Sequence, residues 1–410
     1  MKLRFLGGVD EIGSLSMVAE VDGLNLLFEH GLTPTNPPKY PLDPPNVERV
    51  FITHAHLDHS GMIPFIAARS SPRITCTPMT AALVDILISD TLVIEKNEGY
   101  KLPYDKLDFR TAHDLIDPID YSARRYVGNN EIQFHPAGHI PGSTMFEIGY
   151  GGGTMLFTGD INTIDTQLLK GCKPVKCDTL VVEATYAGKE HQPRAEIEKA
   201  LRDKVDDVAK RGGLAVIPAF AVGRSQEVLM VLERSGANVW VDGMSNTVTK
   251  VMLRYPEYLR APNKLKKIFN NVNKVHSPEA RERAFKGEVV ITTSGMMDGG
   301  PVLRYMDRIK NDPKSAVLLT GYQVKGTNGR ALLDTGFLEL DGKQTKLDCE
   351  VAFFDLSAHC GHSELRDFVR GCGPTDVVLC HGDNREALHD ELKNEFKCHL
   401  PKVNETLEVN

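Results

Sequence analysis

The chain has 410 residues, 41% hydrophobic and 25% charged, a globular composition with enough material for two cores. Its apolar runs, such as GLNLLF and TLVVEATY, are strand-sized, which excludes a membrane-spanning helix, and the opening MKLRFLGGVDEIGS carries no signal-peptide core. The net charge of −7 is unevenly spread: residues 186–350 hold 27 Lys and Arg against 21 Asp and Glu, a net of +6, leaving −13 on the flanks. The middle is therefore suited to a polyanion and the flanks to cations. Eight cysteines follow no framework spacing, so reduced thiols and a cytoplasmic location are expected.

The first third alternates strands and turns: KLRFLGG, then a hairpin SMVAEVDGLNLLFEHG turning at Asp22-Gly23, then RVFITHAH. GMIPFIAARS and TPMTAALVDILISDTLVIEK carry apolar residues at helical spacing. Further strands are EIQFHPAGH, TMFEIGYGGGTMLFTGD and TLVVEATY. After Tyr186 long amphipathic helices alternate with buried strands, as in PRAEIEKALRDKVDDVAKRGG before LAVIPAF and SQEVLMVLERSG before NVWVDG. That alternation predicts an α/β layer with parallel strands. CEVAFFDLSAH, DVVLCHGD and LEV return to strand and turn. The expected organisation is an αβ sandwich over 1–185 and 351–410, with 186–350 inserted and the first sheet resuming near residue 351.

FITHAHLDHSG places His54, His56, Asp58 and His59 within six residues at the end of an apolar strand. A strand entering a tight turn aims alternate side chains at one point, and the helix start beyond it aims the next pair at a neighbouring point. His54 and His56 then serve one metal, Asp58 and His59 a second. Imidazole and carboxylate without thiolate fit hydrolytic zinc with an open position. His139 in PAGHIPGS, Asp160 in LFTGDIN and His381 in VLCHGD each follow an apolar strand and precede a turn. Asp160 can bridge the two ions, with His139 completing one set and His381 the other. Two zinc ions so placed can bind a shared hydroxide and polarise a phosphoryl or carbonyl oxygen. The remaining histidines (30, 113, 135, 191, 276, 389 and 399) lack that context and read as surface or core.

These motifs resemble those of the metallo-β-lactamase fold. The middle, with VVEATYAG, IPAFAVGRSQEVL, VDGMS, TTSGMMDGGP, LLTGYQVKGTNGRALLDTG and LSAHCGH, resembles the β-CASP insertion that restricts this fold to nucleic acids. The resemblance runs through essentially the whole chain. Within that group it is similar to the cleavage and polyadenylation specificity factor type of ribonuclease, and it resembles the short archaeal-like form without an N-terminal RNA-binding extension. The resemblance implies an α/β architecture, a metallo-β-lactamase αββα sandwich with an inserted β-CASP α/β domain. It also implies a zinc-dependent ribonuclease, endonuclease or 5′-to-3′ exonuclease, in which a metal-bridging hydroxide attacks phosphorus in line and leaves 5′-phosphate and 3′-hydroxyl ends.

Asp58, Glu183 and His359 form the implied catalytic set. The leaving 3′-oxygen needs a proton, which a histidine held by a carboxylate can supply, so Glu183 orients His359. Three departures stand out. Glu29 in LLFEHG stands where the family has Asp, Gly361 follows His359 where Asp is usual, with a second histidine at 362, and Asp383 stands where Glu is usual.

Single-stranded RNA is the implied partner. Gly223, Arg224 and Ser225 precede a helix whose start offers free N–H groups to phosphate. Ser294, Gly295, Gly299 and Gly300 form a flexible turn able to lie close to a sugar-phosphate chain. Lys325 and Arg330 sit beside Gly-rich backbone. A homodimer and an RNA-processing or degradation complex are the expected assemblies. The rivals are a small-molecule hydrolase of the same metal fold, which has no use for the insertion, and a non-catalytic RNA-binding subunit, which has no use for seven intact ligands. DNA in place of RNA is the third alternative.

Overall fold

A computed structural model describes residues 1–35 and 37–409. The chain divides into two compact units: Met1–Asp165, Lys170–Glu190 and Ala358–Asn410 form the first, and Thr166–Leu169 with His191–Ser357 form the second.

The first unit stacks two seven-stranded sheets. One runs, in spatial order, Thr406–Glu408, Lys2–Gly7, Ser16–Val21, Leu24–Phe28, Arg49–Phe51, Arg73–Cys76 and Ile116–Pro118. The other runs Lys397–His399, Asp376–Cys380, Thr179–Glu183, Gly153–Phe157, Thr144–Tyr150, Asn130–Pro136 and Arg124–Val127. The hairpin at Asp22-Gly23 forms as expected, both residues taking positive φ (48° and 81°), the conformation that an Asp-Gly hairpin turn requires.

Between the sheets lies an aromatic core. Phe28 stacks on Phe51 with centroids 5.1 Å apart, and Phe51 meets Phe146 edge-on at 5.2 Å. On the outer face of the second sheet, Leu365, Phe368 and Val369 of the helix His362–Cys372 bury against Leu180, Val182 and Leu379. The helices Ile63–Ser70, Pro78–Glu98 and Lys106–Leu115 lie beside the first sheet. The result is the expected four-layer αββα order. Thr77 caps the long helix by accepting the Thr80 N–H, and Gly99, at φ 77°, ends it. The helix Lys106–Leu115 is mostly polar, with Ala112 its one buried residue. Its signal is the reciprocal capping of Asp105 and Asp108.

The second unit is a six-stranded parallel sheet ordered Asn273–Lys274, Val239–Asp242, Val289–Thr292, Ala215–Pro218, Ala316–Leu319 and Glu350–Phe353. Two features differ from the sequence expectation. The strand Glu350–Phe353 does not resume the first sheet; it pairs in parallel with Ala316–Leu319. It is a partly exposed edge strand, and an apolar run does not encode which sheet it will join. Thr166–Leu169 also belongs to this unit: Leu168 and Leu169 enter its core, and Glu227 accepts the backbone N–H groups of Gln167 (3.0 Å) and Leu168 (2.8 Å). Among the described residues no helix is long and apolar enough to cross a membrane.

Candidate metal centre

All seven expected ligands converge at one end of the sandwich of the first unit. The turn after Arg49–Phe51 carries His54 and His56 and enters a short helix, Leu57–Ser60, that holds Asp58 and His59. Residues 15 and 30–32 stitch this turn from beneath: Leu15 N–H donates to Asp58 O (2.8 Å), His30 N–H to His59 O (2.9 Å) and Leu32 N–H to Leu57 O (2.8 Å). Gly31 permits the approach, because a Cβ there would lie 1.7 Å from Asp58 O. Gly159, at φ 53°, likewise seats Asp160 by packing on Thr53.

The donor atoms form two sets that share Asp160. In the first, His56 Nδ1 lies 3.1 Å from both His54 Nε2 and His139 Nε2, and Asp160 Oδ2 lies 3.6 Å from each of those Nε2 atoms. In the second, His59 Nε2 is 3.8 Å from Asp58 Oδ2 and 3.4 Å from Asp160 Oδ2. His381 Nε2 there is 3.7 Å from Asp58 Oδ2 and 3.9 Å from Asp160 Oδ1. Metal–nitrogen bonds of about 2.1 Å in a tetrahedron put ligand atoms roughly 3.4 Å apart, so both sets have the dimensions of a zinc-type shell. Imidazole nitrogens are not packed this way to bond one another.

Burial and charge agree with a cation. His54 and His139 are held well below the ordinary imidazole pKa, chiefly by burial, and burial lowers His56 to about 4. These rings are neutral and offer lone pairs. Burial also opposes a charge on His59, yet Asp160 and Asp58 outweigh it and raise its pKa well above normal. The carboxylates that hold that proton are the groups that would hold a divalent ion. Asp160 Oδ1 and His59 Nε2 are buried without a hydrogen-bond partner, a state that ligation or ordered solvent relieves.

The groups behind the ligands fix their tautomers. Thr53 Oγ donates to Glu29 Oε1, so it accepts from His54 Nδ1–H at 3.0 Å and leaves His54 Nε2 unprotonated. His139 Nδ1–H donates to the Ala358 carbonyl at 2.9 Å, with the same consequence for its Nε2. Glu29 accepts the Thr53 N–H at 3.1 and 3.2 Å and lies 3.5 Å from His59 Nδ1, so the longer side chain still reaches the ligand. Burial raises the Glu29 pKa, an effect that His59 and Thr53 oppose. Glu29 and His381 have positive φ (56° and 52°), strained values for residues with side chains. Thr53 and the Ala358 carbonyl were not anticipated from the sequence.

His359 stands beside the two sets. Both Glu183 oxygens lie 3.1 Å from its Nδ1, and Glu183 is fixed in turn by the Ile161 N–H at 2.7 Å. Burial disfavours its charge, but the Glu183 and Asp160 carboxylates prevail and raise its pKa to about 9. His362 is not a rival for this place: its Nδ1 accepts the Gly188 N–H at 2.9 Å and its Nε2 meets Glu391 at 2.6 Å.

The residues expected to hold phosphate all lie in the second unit, in loops or the first turns of helices that follow the carboxyl ends of the parallel strands Ala215–Pro218, Val289–Thr292 and Ala316–Leu319. Ligands of open α/β sheets bind at that edge. Lys325 is exposed, and Arg330 is exposed and paired with Asp334 at 2.8 Å. Ser294 is partly buried, and Gly299 and Gly300 are open or nearly so. Gly295 is small for a packing reason, since a Cβ would lie 2.8 Å from Phe220 N. Ser225 departs from expectation. It is fully buried, its Oγ donates to Phe220 O at 2.8 Å, and the N–H groups of Arg224 and Ser225 are bonded to Val222 O and Phe220 O. That turn closes on itself, so Arg224 is its remaining candidate for phosphate.

The comparisons with known proteins agree with this architecture. Residues 9–219 match the Metallo-beta-lactamase superfamily, 225–332 the Beta-Casp domain, and 345–401 the Zn-dependent metallo-hydrolase RNA specificity domain. The chain is 34% identical to Probable RNase MJ4 of Methanocaldococcus jannaschii over 100% of both chains. It is 35% identical to RNase aCSPSF2 of Saccharolobus solfataricus, over 96% of this chain and 82% of that one. With Transcription termination factor FttA of Methanocaldococcus jannaschii it shares 30% identity over 97% and 69%. A crystal structure of a protein of unknown function from Enterococcus faecalis V583 has the same fold, with a TM-score of 0.64 and 14% identity over 99% of both chains. Its two sandwiched sheets, its His and Asp cluster and these matches place the chain in the metallo-β-lactamase superfamily, in the group that carries a Beta-Casp domain.

Proposed function

We propose that this protein is a ribonuclease that hydrolyses RNA phosphodiester bonds at a centre of two zinc ions. The observation that carries the reading is the pair of donor sets sharing Asp160, with the Glu183–His359 pair alongside. The RNase names of relatives that match over 100% and 82% of their own length support the substrate class. On this reading His54, His56, His139 and Asp160 would hold one ion, and Asp58, His59 and His381, with Asp160 beside them, would hold the other. Bound zinc supplies positive charge that polarises a phosphoryl oxygen and makes a water acidic near neutral pH.

The chain's own groups do the remaining work. Asp58, whose side chain is 24% exposed, is placed to accept a hydrogen bond from the attacking water. Glu183 keeps the His359 ring oriented through Nδ1, so its Nε2 is the atom that can give a proton to the departing 3′-oxygen. The products are a 5′-phosphate and a 3′-hydroxyl. Arg224, Ser294, Gly295, Gly299, Gly300, Lys325 and Arg330 are proposed to line the path of single-stranded RNA. We also read the protein as a cytoplasmic homodimer working within an RNA-processing assembly, which light scattering and co-purification test.

The experiment is a time course on RNA labelled at either end, with 5′-hydroxyl and 5′-monophosphate forms and a DNA of the same sequence. Zinc-loaded protein cleaves the RNA, and chelated protein and His59→Ala do not. Internal fragments appearing first identify an endonuclease, and mononucleotides appearing first identify an exonuclease. RNA cleavage that persists in His59→Ala removes the assigned site.

A further inference from the structure

We propose that His362 is a positioning residue for the His359–Glu183 pair, acting as a post to which the three segments around that pair are tied. The inference rests on the proposed role of His359 as proton donor to the leaving oxygen.

The hydrogen bonds define the post. The Gly188 N–H donates to His362 Nδ1 at 2.9 Å, which requires Nδ1 to be unprotonated and Nε2 to carry the proton. Nε2–H then donates to Glu391 Oε2 at 2.6 Å, and Arg366 holds the other Glu391 oxygen at 3.0 Å. The His362 backbone N–H donates to Lys189 O at 2.9 Å. One ring in one tautomer thus joins the segment after strand Thr179–Glu183, the start of helix His362–Cys372 and the helix Arg385–Leu392.

Those segments are the continuations of the site. Gly188 lies five residues beyond Glu183, His362 three beyond His359, and Glu391 ten beyond His381. The ring is partly buried, and Gly188 meets it with φ 78°, a conformation that side chains rarely adopt. A Cβ on Gly188 would lie 2.6 Å from Asn384 Nδ2. The approach of residue 188 to the post is therefore built into the backbone. Its loss would free the loop after Glu183 to drift relative to the stretch that carries His359, and a displacement of about 1 Å at a reacting group can lower a rate by roughly 10²-fold.

The test separates positioning from plain stability. His362→Asn keeps an acceptor near the Nδ1 position, His362→Gln keeps a donor near Nε2 but not the Gly188 acceptor, and His362→Ala keeps neither. Each zinc-loaded variant is assayed on RNA and on bis(p-nitrophenyl) phosphate, whose nitrophenolate leaves without a proton. The expected result is a kcat on RNA lowered about 10- to 100-fold in the Gln and Ala variants, with KM and zinc content unchanged and the nitrophenyl rate within about twofold of wild type. His362→Asn should recover most of the RNA rate. Equal losses on both substrates, lost zinc, or wild-type RNA cleavage by His362→Ala each overturn the proposal. His359→Ala is the control. If it too shows no difference between the substrates, the assignment of His359 has failed, and the post is then judged by the His359–Glu183 geometry in a crystal structure of His362→Asn and His362→Gln. An unmoved pair in the Gln variant rejects it.

Discussion

Thr53→Val is the most informative single change to the metal centre, because it keeps the volume of a fully buried side chain and removes only its hydroxyl. That hydroxyl donates to Glu29 Oε1 and accepts from His54 Nδ1–H at 3.0 Å. The substitution leaves the Glu29 oxygen with the Thr53 N–H and strands a buried imidazole N–H, which keeps nothing in its place. An unsatisfied buried polar group costs about 1–3 kcal/mol, so the orphaned His54 N–H predicts a loss of that size in the metal-free protein. His54 also loses the bond that selects its ligating tautomer, for which a drop in metal affinity of about 10- to 100-fold is expected. Thermal melts of the metal-free protein and zinc titration against a competing chelator measure the two effects separately. An unchanged zinc affinity would refute the claim that Thr53 sets the tautomer of His54, even if the stability loss appeared in full.

Other outcomes follow from the same structure. His359→Ala should lower the single-turnover rate on RNA by about 10²- to 10⁴-fold while leaving zinc content at wild-type level, read by rapid quench and elemental analysis. Phe51→Ala, which removes a ring between Phe28 and Phe146, should destabilise the first unit by about 3–5 kcal/mol in urea denaturation. Asp376→Asn should flatten the acid limb of stability. Burial pushes this carboxyl pKa up, but His399 at 2.7 Å and Lys397 at 3.0 Å outweigh it, and the folded pKa is depressed. A depressed carboxylate stabilises the fold above its unfolded pKa of about 3.9 and loses that contribution as pH falls through the folded value, so wild type and variant should converge at low pH. Melting temperatures between pH 7 and 2 would show a constant gap if the pairing were irrelevant.

The candidate ligand set could be read from the sequence because its chemistry is local: His54, His56, Asp58 and His59 share one turn, and His139, Asp160 and His381 each end an apolar strand. The groups behind them could not. Thr53 is one more polar residue just past a buried strand, and the Ala358 carbonyl has no side chain to mark it. Ser225 misled for a related reason. A serine at a helix start reads as an exposed phosphate contact, whereas here the turn folds its hydroxyl onto Phe220 O. The strand Glu350–Phe353 shows the limit for topology, since hydrophobic pattern announces a strand without naming its neighbour.

The short stretch Thr166–Leu169 has a practical consequence for anyone wishing to isolate the parallel-sheet unit. The backbone passes between the two units four times, and the first excursion lasts only four residues. A fragment spanning 191–357 would leave Glu227 without the two amide donors it now receives and would strip Leu168 and Leu169 from the interior. Expressed alone, that fragment should be soluble and well behaved only when a peptide equivalent to the missing four residues is grafted back.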